Sequence, residues 1–285
     1  MHPKQSERIA AMSPTKDGAR MSGELAEKVT IVIKTFERPA CLVRLLKSIE
    51  RRALSVSVLV ADDSRVSSRE AVLHRFGGIV QEYVDMDFDS GLSAGRNELV
   101  RRVRTSRFLL CDDDFVFDRR TNMARMAELM DQFSCDILGG ECYDIIPLQL
   151  HLIWSHVISR HMRYLLRVPD RWFGRSRRYF GKMHREADGR IRMTPIKHTG
   201  PVTLCDYCSN FFMADTVRVR RMGGWNPLLK VGEHEEFFMR AREAGLRVGH
   251  SSEAGVRHLQ YLPAAYRTYR ERASQPRPDE IRGVP

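Results

Sequence analysis

Three consecutive aspartates, residues 112–114, follow the apolar stretch "FLLC". Adjacent carboxylates repel one another, so the run needs a partner. A hard divalent cation such as Mn²⁺ or Mg²⁺ takes oxygen ligands, often one or two carboxylates plus phosphate oxygens. The D-x-D formed by Asp112 and Asp114 offers two such carboxylates close together. A metal there would cancel their repulsion and offset charge building on a diphosphate leaving group. A second acidic pair, Asp62 and Asp63, closes the stretch "SVSVLVADDS". The alternative for 112–114 is a solvated acidic turn.

Both clusters need strands to place them. "VTIVI" (29–33) is a short β-rich run with no helical period, which predicts a buried strand. Pro39 suits a first helical turn, and Leu42, Leu45, Leu46 and Ile49 then recur at helical spacing. "SVSVLVADDS", "RFLLCDDD" and "CDILGG" read as further strands. "GLSAGRNELVRRVRT" reads as a turn and helix. "RRTNMARMAELMDQF" reads as a helix with Met123, Met126, Ala127 and Met130 inward. Strand–helix alternation predicts an α/β fold with a mainly parallel central sheet flanked by helices. Ligands bind such sheets outside the carboxyl ends of the strands, where both acidic clusters fall.

After Asp144 the alternation stops. A basic, aromatic stretch over 145–200 follows, with Arg160, Arg163 and Arg167 on one helical face and Pro169 as its stop. Compact α/β character resumes at "SNFFMADTVRVRRMGGWNPLL". A helix is expected from Glu233 to Ala244, closed by Gly245. We expect 1–28 to be a disordered leader, 29–272 a single domain and 273–285 a flexible tail. The chain has 285 residues, 42% of them hydrophobic and 8% aromatic, which suits a protein with a sizeable core. No apolar run approaches the ~20 residues that span a bilayer. The polar start has no signal-peptide core, so a cytoplasmic location is expected. Six cysteines include one C-x-x-C, Cys205 and Cys208, without a well-spaced second pair, which argues against zinc. Cys41, Cys111 and Cys135 are expected as buried thiols. The net charge is +11, and residues 160–192 carry 11 Lys/Arg against 3 Asp/Glu. Such a patch suits nucleic acid, an anionic membrane or an anionic substrate.

Six stretches in order, "VTIVIKTFERPACLVRLLKSI", "LVADDS", "GLSAGRNELV", "CDDDFVF", "SNFFMA" and "VGEHEEFFMRAREAGLRV", resemble the GT-A glycosyltransferases of family 2. Within it they are most similar to the β-1,4-N-acetylgalactosaminyltransferase (ganglioside-synthase-type) group and its bacterial relatives. The resemblance covers residues 29–260. It implies a GT-A fold and transfer of a sugar, GalNAc favoured, from a UDP-sugar to a hydroxyl of a glycan or lipid-linked acceptor. It further implies inversion and a Mn²⁺ or Mg²⁺ cofactor. Asp112 and Asp114 would hold the metal. His258, in "VRHLQ", would complete its coordination, unless it is an ordinary core or surface histidine. Thr35, Arg38, Asp62, Asp63, Arg96, Asn97, Asp112 and Asp113 would bind the donor, one of Asp62 and Asp63 against the uracil base.

The helix start "GEHEEFF" resembles the place where these enzymes keep a catalytic base. Many members carry aspartate where His234 stands. An imidazole, with an ordinary pKa near ~6.5, can take a hydroxyl proton too. His234 is the first choice, with Glu235 and Glu236 as rivals, since adjacent helical residues do not share a face. At least one of these charges is expected to face solvent or cap the helix. Trp225, in "GGWNP", would stack on the acceptor sugar or else pack in the core. The stretch 145–200 lies where the family varies to read acceptors. Its charge suggests peripheral contact with an anionic membrane through 148–192, at the inner membrane face, with a solvated basic loop as the alternative.

Two other classes compete. A sugar nucleotidyltransferase would often place glycines just after the first strand, and "KTFERP" has none. A basic nucleic-acid-binding or membrane-binding protein would explain the charge but not two acidic clusters at strand ends. No nucleic-acid partner is expected.

Overall fold

A computed structural model describes residues 25, 27–52, 54–145, 174–177, 179–187, 191–230, 232–259 and 269. Leu25, Glu27 and Lys28 of the expected leader are helical, with Leu25 buried, which corrects the disordered reading there; the rest of the leader, the basic helix around 160–167 with its stop at Pro169, most of the membrane-facing reading of 148–192 and the tail fall outside the described residues. The elements run β1 (Val29–Thr35), α1 (Pro39–Arg51), β2 (Ser57–Asp62), α2 (Arg69–Phe76), β3 (Val80–Asp85), α3 (Leu92–Arg102), β4 (Arg107–Asp112), β5 (Phe115–Val116) and α4 (Met123–Phe133). Then follow β6 (Ile137–Ile145), β7 (Gly174–Arg177), β8 (Gly181–Arg185), β9 (Ile191–Pro195), β10 (Thr203–Leu204), β11 (Phe212–Asp215), α5 (Thr216–Arg221), α6 (Glu233–Glu243) and β12 (Val248–His258). The sequence reading finds no place for α2 and β3, which are short and half polar.

Eight strands run in the order β10-β12-β6-β11-β4-β1-β2-β3, with β5 added on β12 and β7 on β6. Every ladder of five or more residue pairs in this sheet is parallel. Strand β11 runs antiparallel between β4 and β6. Strands β8 and β9 form a separate hairpin.

Period-two alternation sorts the apolar residues into two cores. Val29, Ile31 and Ile33 of β1 join Leu42, Leu45, Leu46 and Ile49 of α1 and Met123, Met126, Leu129 and Met130 of α4 on one face. Val32 turns the other way, toward Leu99 of α3, Val219 of α5 and Phe237 and Phe238 of α6. Helices cover both faces, so the strands read as continuous apolar runs. All six cysteines are buried free thiols. Among the described residues, no helix is long and apolar enough to cross a membrane.

The topology fixes where a ligand goes. From β1 the chain steps outward to β2 and β3, then returns to β4 on the other side of β1. The loops after β1 and β4 therefore leave in opposite directions and open a crevice between them.

Candidate active site

The crevice is a cavity of about 530 Å³. The three aspartates divide at its edge. Asp112 and Asp114 line it, while Asp113 is wholly buried. Thr35 donates its hydroxyl to Asp113 Oδ2 at 2.7 Å. Arg38 spans two carboxylates, pairing with Asp113 through Nη2 and with Asp114 through Nη1, the latter at 2.9 Å. Arg96, 1% exposed, bridges Asp112 at 3.0 Å and Glu233 at 2.7 Å. Burial works against the Arg96 charge, but Glu233 and Asp112 outweigh it.

Strand pairing brings in His258. Phe115, next to Asp114, pairs with His258 across β5 and β12, and His258 also lies opposite Asp144 of β6. Its Nδ1 lies 2.7 Å from Asp144 Oδ1, and its Nε2 lies 3.4 Å from Asp114 Oδ1. Burial opposes the imidazolium, but Asp114 and Asp144 overcome it and raise the pKa to about 9. Burial likewise pushes Asp114 up, yet the His258 contact and Arg38 hold it below the usual carboxylate range. Burial, against the pull of Arg38, raises Asp113.

These residues fit a hard divalent cation. Asp114 Oδ1 is buried and accepts no hydrogen bond. Asp112 is partly open, and His258 stands beside Asp114. The two carboxylates suit Mn²⁺ or Mg²⁺, and His258 would join them only on giving up the proton of its Nε2. Among the described residues, no three His, Cys, Asp or Glu side chains are already gathered as a metal cage.

The first turn of α6 supplies another part of the wall. Gly232, in a left-handed conformation at φ 74°, turns the chain into the helix. Gly232, Glu233, His234 and Glu235 all line the cavity. The helix N-terminus, with its unpaired N–H groups, therefore opens toward it. His234 Nδ1 lies 2.6 Å from Asn210 Oδ1, and its Nε2 is shielded from water with no partner. Burial chiefly, with the Arg96 charge, depresses the His234 pKa despite Glu235 and Asp112, so the ring is neutral. Glu235 accepts a hydrogen bond from Tyr179 at 3.2 Å. Glu236 does not line the cavity and pairs along the helix with Arg240 at 3.7 Å.

The other expected site residues go elsewhere. Asp62 accepts from the Tyr83 hydroxyl at 2.6 Å and from the amides of Ser64 and Ser68, which moulds the loop after β2. Asp63 holds Lys34 Nζ and the Gly91 amide, the latter at 2.8 Å. Neither aspartate lines the cavity, but Lys34, which pairs with Asp63, does. Burial lowers the Lys34 pKa against the pull of Asp63. Gly95 makes room for its stem, since a Cβ there would fall 2.5 Å from Lys34 Cγ. Asn97 binds only the Trp225 backbone, donating to the carbonyl at 2.7 Å and accepting from the amide at 2.8 Å. Trp225 as an acceptor platform is corrected: it is 1% exposed and stacked on Phe237 at 4.3 Å, so it presents no face to a sugar. Lys34, Tyr179, Ser209, Asn210 and Glu233 line the cavity without having been singled out from the sequence.

The chain is 35% identical over 239 residues to Beta-1,4 N-acetylgalactosaminyltransferase 1 of Homo sapiens, covering 82% of this chain and 39% of that protein. It is 31% identical over 252 residues to the Rattus norvegicus protein of the same name, covering 88% and 42% respectively. The chain thus spans about two fifths of the length of these curated relatives. Among solved structures, S. aureus TarS 1-349 in complex with UDP superposes with a TM-score of 0.54 at 15% identity, covering 82% of this chain and 60% of that one. That likeness shows the GT-A fold. The model of "Glycosyl transferase family 2" matches residues 30–191, and the chain belongs to that family.

Proposed function

We propose that this member of glycosyl transferase family 2 is a metal-dependent, inverting glycosyltransferase. It takes a sugar from a UDP-sugar, GalNAc favoured, and passes it to a hydroxyl of a glycan or lipid-linked acceptor. The UDP complex of TarS 1-349 supports the nucleotide, and the names of the two relatives support the sugar. One observation carries the reading. A single cavity at the switch point gathers Asp112, Asp114 and His258 with Lys34 and Arg38, together with an imidazole whose lone pair nothing uses.

A divalent cation held by Asp112, Asp114 and His258 would neutralise charge on the departing diphosphate. Lys34, Arg38 and the first-turn amides of α6 favour the anionic donor. Once acceptor entry uncovers Nε2, which is shielded from water without substrate, His234 takes the proton of the acceptor hydroxyl as its oxygen bonds to the anomeric carbon. The bond from that carbon to the diphosphate oxygen breaks on the opposite side, and UDP leaves with the electron pair. One such displacement inverts the centre. Glu235 also borders the cavity and is the rival base. Acceptor reading falls to the basic stretch 145–200, with anionic-membrane contact through 148–192.

UDP release from a panel of UDP-sugars tests this, with Mn²⁺ and with EDTA. Release from one sugar is expected, lost with EDTA and in Asp114→Ala. His234→Ala should lower kcat by about 10²–10⁴-fold, the usual weight of a general base. Silence with every sugar, together with no metal-dependent UDP binding, would overturn the reading.

A further inference from the structure

Asn210 lies two residues before β11. The antiparallel register sets Phe212 opposite Leu110, so beyond the ladder residue 210 faces residue 112. Asn210 Nδ2 donates to Asp112 Oδ2 at 3.1 Å. An ionised carboxylate only accepts, so the amide must turn its NH₂ toward Asp112 and its oxygen toward α6. That oxygen meets His234 Nδ1 at 2.6 Å. An oxygen only accepts, so the imidazole must carry its proton on Nδ1. The bare lone pair is then on Nε2, the atom left buried without a partner. The ring plane is held by Tyr179 at 5.1 Å and Phe238 at 5.0 Å between centroids. A second tie, Arg96 between Asp112 and Glu233, anchors the same helical turn to the same aspartate.

We propose that Asn210 is a positioning residue, whose side-chain amide, oriented by Asp112, sets the His234 tautomer and so leaves Nε2 as the basic nitrogen of the ring. The proposal rests on the reading of His234 as the base. It makes one carboxylate serve both halves of the reaction. Asp112 borders the donor side, and through Asn210 it orders the group that activates the acceptor. No proton needs to pass along the chain, because the amide only fixes which nitrogen is bare.

The test uses two substitutions, Asn210→Ala and Asn210→Leu. Leucine keeps nearly the shape of asparagine but has no acceptor, so it guards against misfolding of the smaller variant. Long-range ¹H–¹⁵N spectra of the labelled chain at neutral pH read the tautomer of each ring, with His234 assigned by its loss in His234→Gln. Wild type should show His234 protonated on Nδ1 only, and both variants should gain the Nε2–H form. UDP release with Mn²⁺ should show kcat lowered about tenfold to a hundredfold, the scale of a misplaced reacting group, with donor KM changed less than about twofold. A His234 ring still protonated on Nδ1 alone in folded Asn210→Leu would overturn the proposal, as would an unchanged kcat. If wild type releases no UDP from any sugar, the transferase reading fails, and the spectra alone still decide whether Asn210 sets the tautomer.

Discussion

Asn97 separates a donor contact from a structural clamp. The resemblance places it beside the nucleotide, whereas its amide spends both polar ends on the Trp225 backbone at 2.7 and 2.8 Å. It thus ties α3 to the loop that leads into α6. Asn97→Ala removes both bonds and leaves an amide and a carbonyl of a residue that is 1% exposed without partners. Each buried group stranded in this way costs about 1–3 kcal/mol. Asn97 itself is half-buried, so water can reach part of the gap, and the lower half of the range applies. The expected loss is about 2–4 kcal/mol, or about 4–16 °C in Tm for a domain of this size. Thermal unfolding and donor KM, measured on the same folded protein, give the assay. The expected pattern is a large drop in Tm with donor KM within about twofold of wild type. A Tm within about 2 °C of wild type, joined to a severalfold rise in donor KM, would refute the clamp and restore the nucleotide contact.

Other outcomes follow from the same geometry. Gly224 has φ +64°, and a Cβ there would fall 2.3 Å from Asn97 Oδ1, so Gly224→Ala should destabilise. In a double-mutant cycle with Asn97→Ala, measured by urea unfolding, the two losses should not add, because both break one clamp. Arg96→Met strands Glu233 and half-strands Asp112, and should cost about 3–5 kcal/mol in denaturant midpoint. A near-neutral result would mean that solvent already compensates those carboxylates. His250 is stacked on Phe180 at 4.1 Å and donates to the Gly140 carbonyl at 3.1 Å. Burial, with His198 beside it, lowers its pKa to about 3, so the folded ring stays neutral. The unfolded ring takes up a proton below about 6.5, so stability from this group falls as pH drops from there toward 3, by about 1.4 kcal/mol per pH unit. His250→Gln should remove one proton from the uptake on unfolding at pH 5, read from the slope of stability against pH.

Much of the parallel half was legible because its signals are local. Leu42, Leu45, Leu46 and Ile49 repeat at helical spacing, and all four are buried in α1. The buried runs of β1 and β4 have no period, and both pack on two faces. The site was legible where a motif stands on one such strand end, as at Asp112 and Asp114. It was not legible where function depends on pairing between distant strands. Nothing near Asn210 announces it, since its place opposite Asp112 comes from the β4–β11 register. His258 was reached only by resemblance, and it meets Asp114 through the β5–β12 pairing. Trp225 misled because an aromatic beside glycines suits a sugar platform and a core plug equally well. Only its burial among Phe108, Phe212 and Phe237 decides between them.

The aspartate run shows why spacing mattered more than charge. Asp113 and Asp114 form the turn between β4 and β5, and that turn leaves Asp112 and Asp114 on the cavity wall while Asp113 is buried, where an uncompensated carboxylate is prohibitive. Thr35 and Arg38, carried by the β1 end beside β4, supply that compensation. Arg38 then reaches on to Asp114. The loop after β1 is thereby bound to the aspartates without any donor, and Arg38 serves as a scaffold. The same holds for Arg96 under Asp112 and Glu233. The half of the cavity around Asp112 and Asp114 is thus preassembled by buried cations. Its one aspartate oxygen left buried without a hydrogen bond, Asp114 Oδ1, is where the cation reading finds its opening.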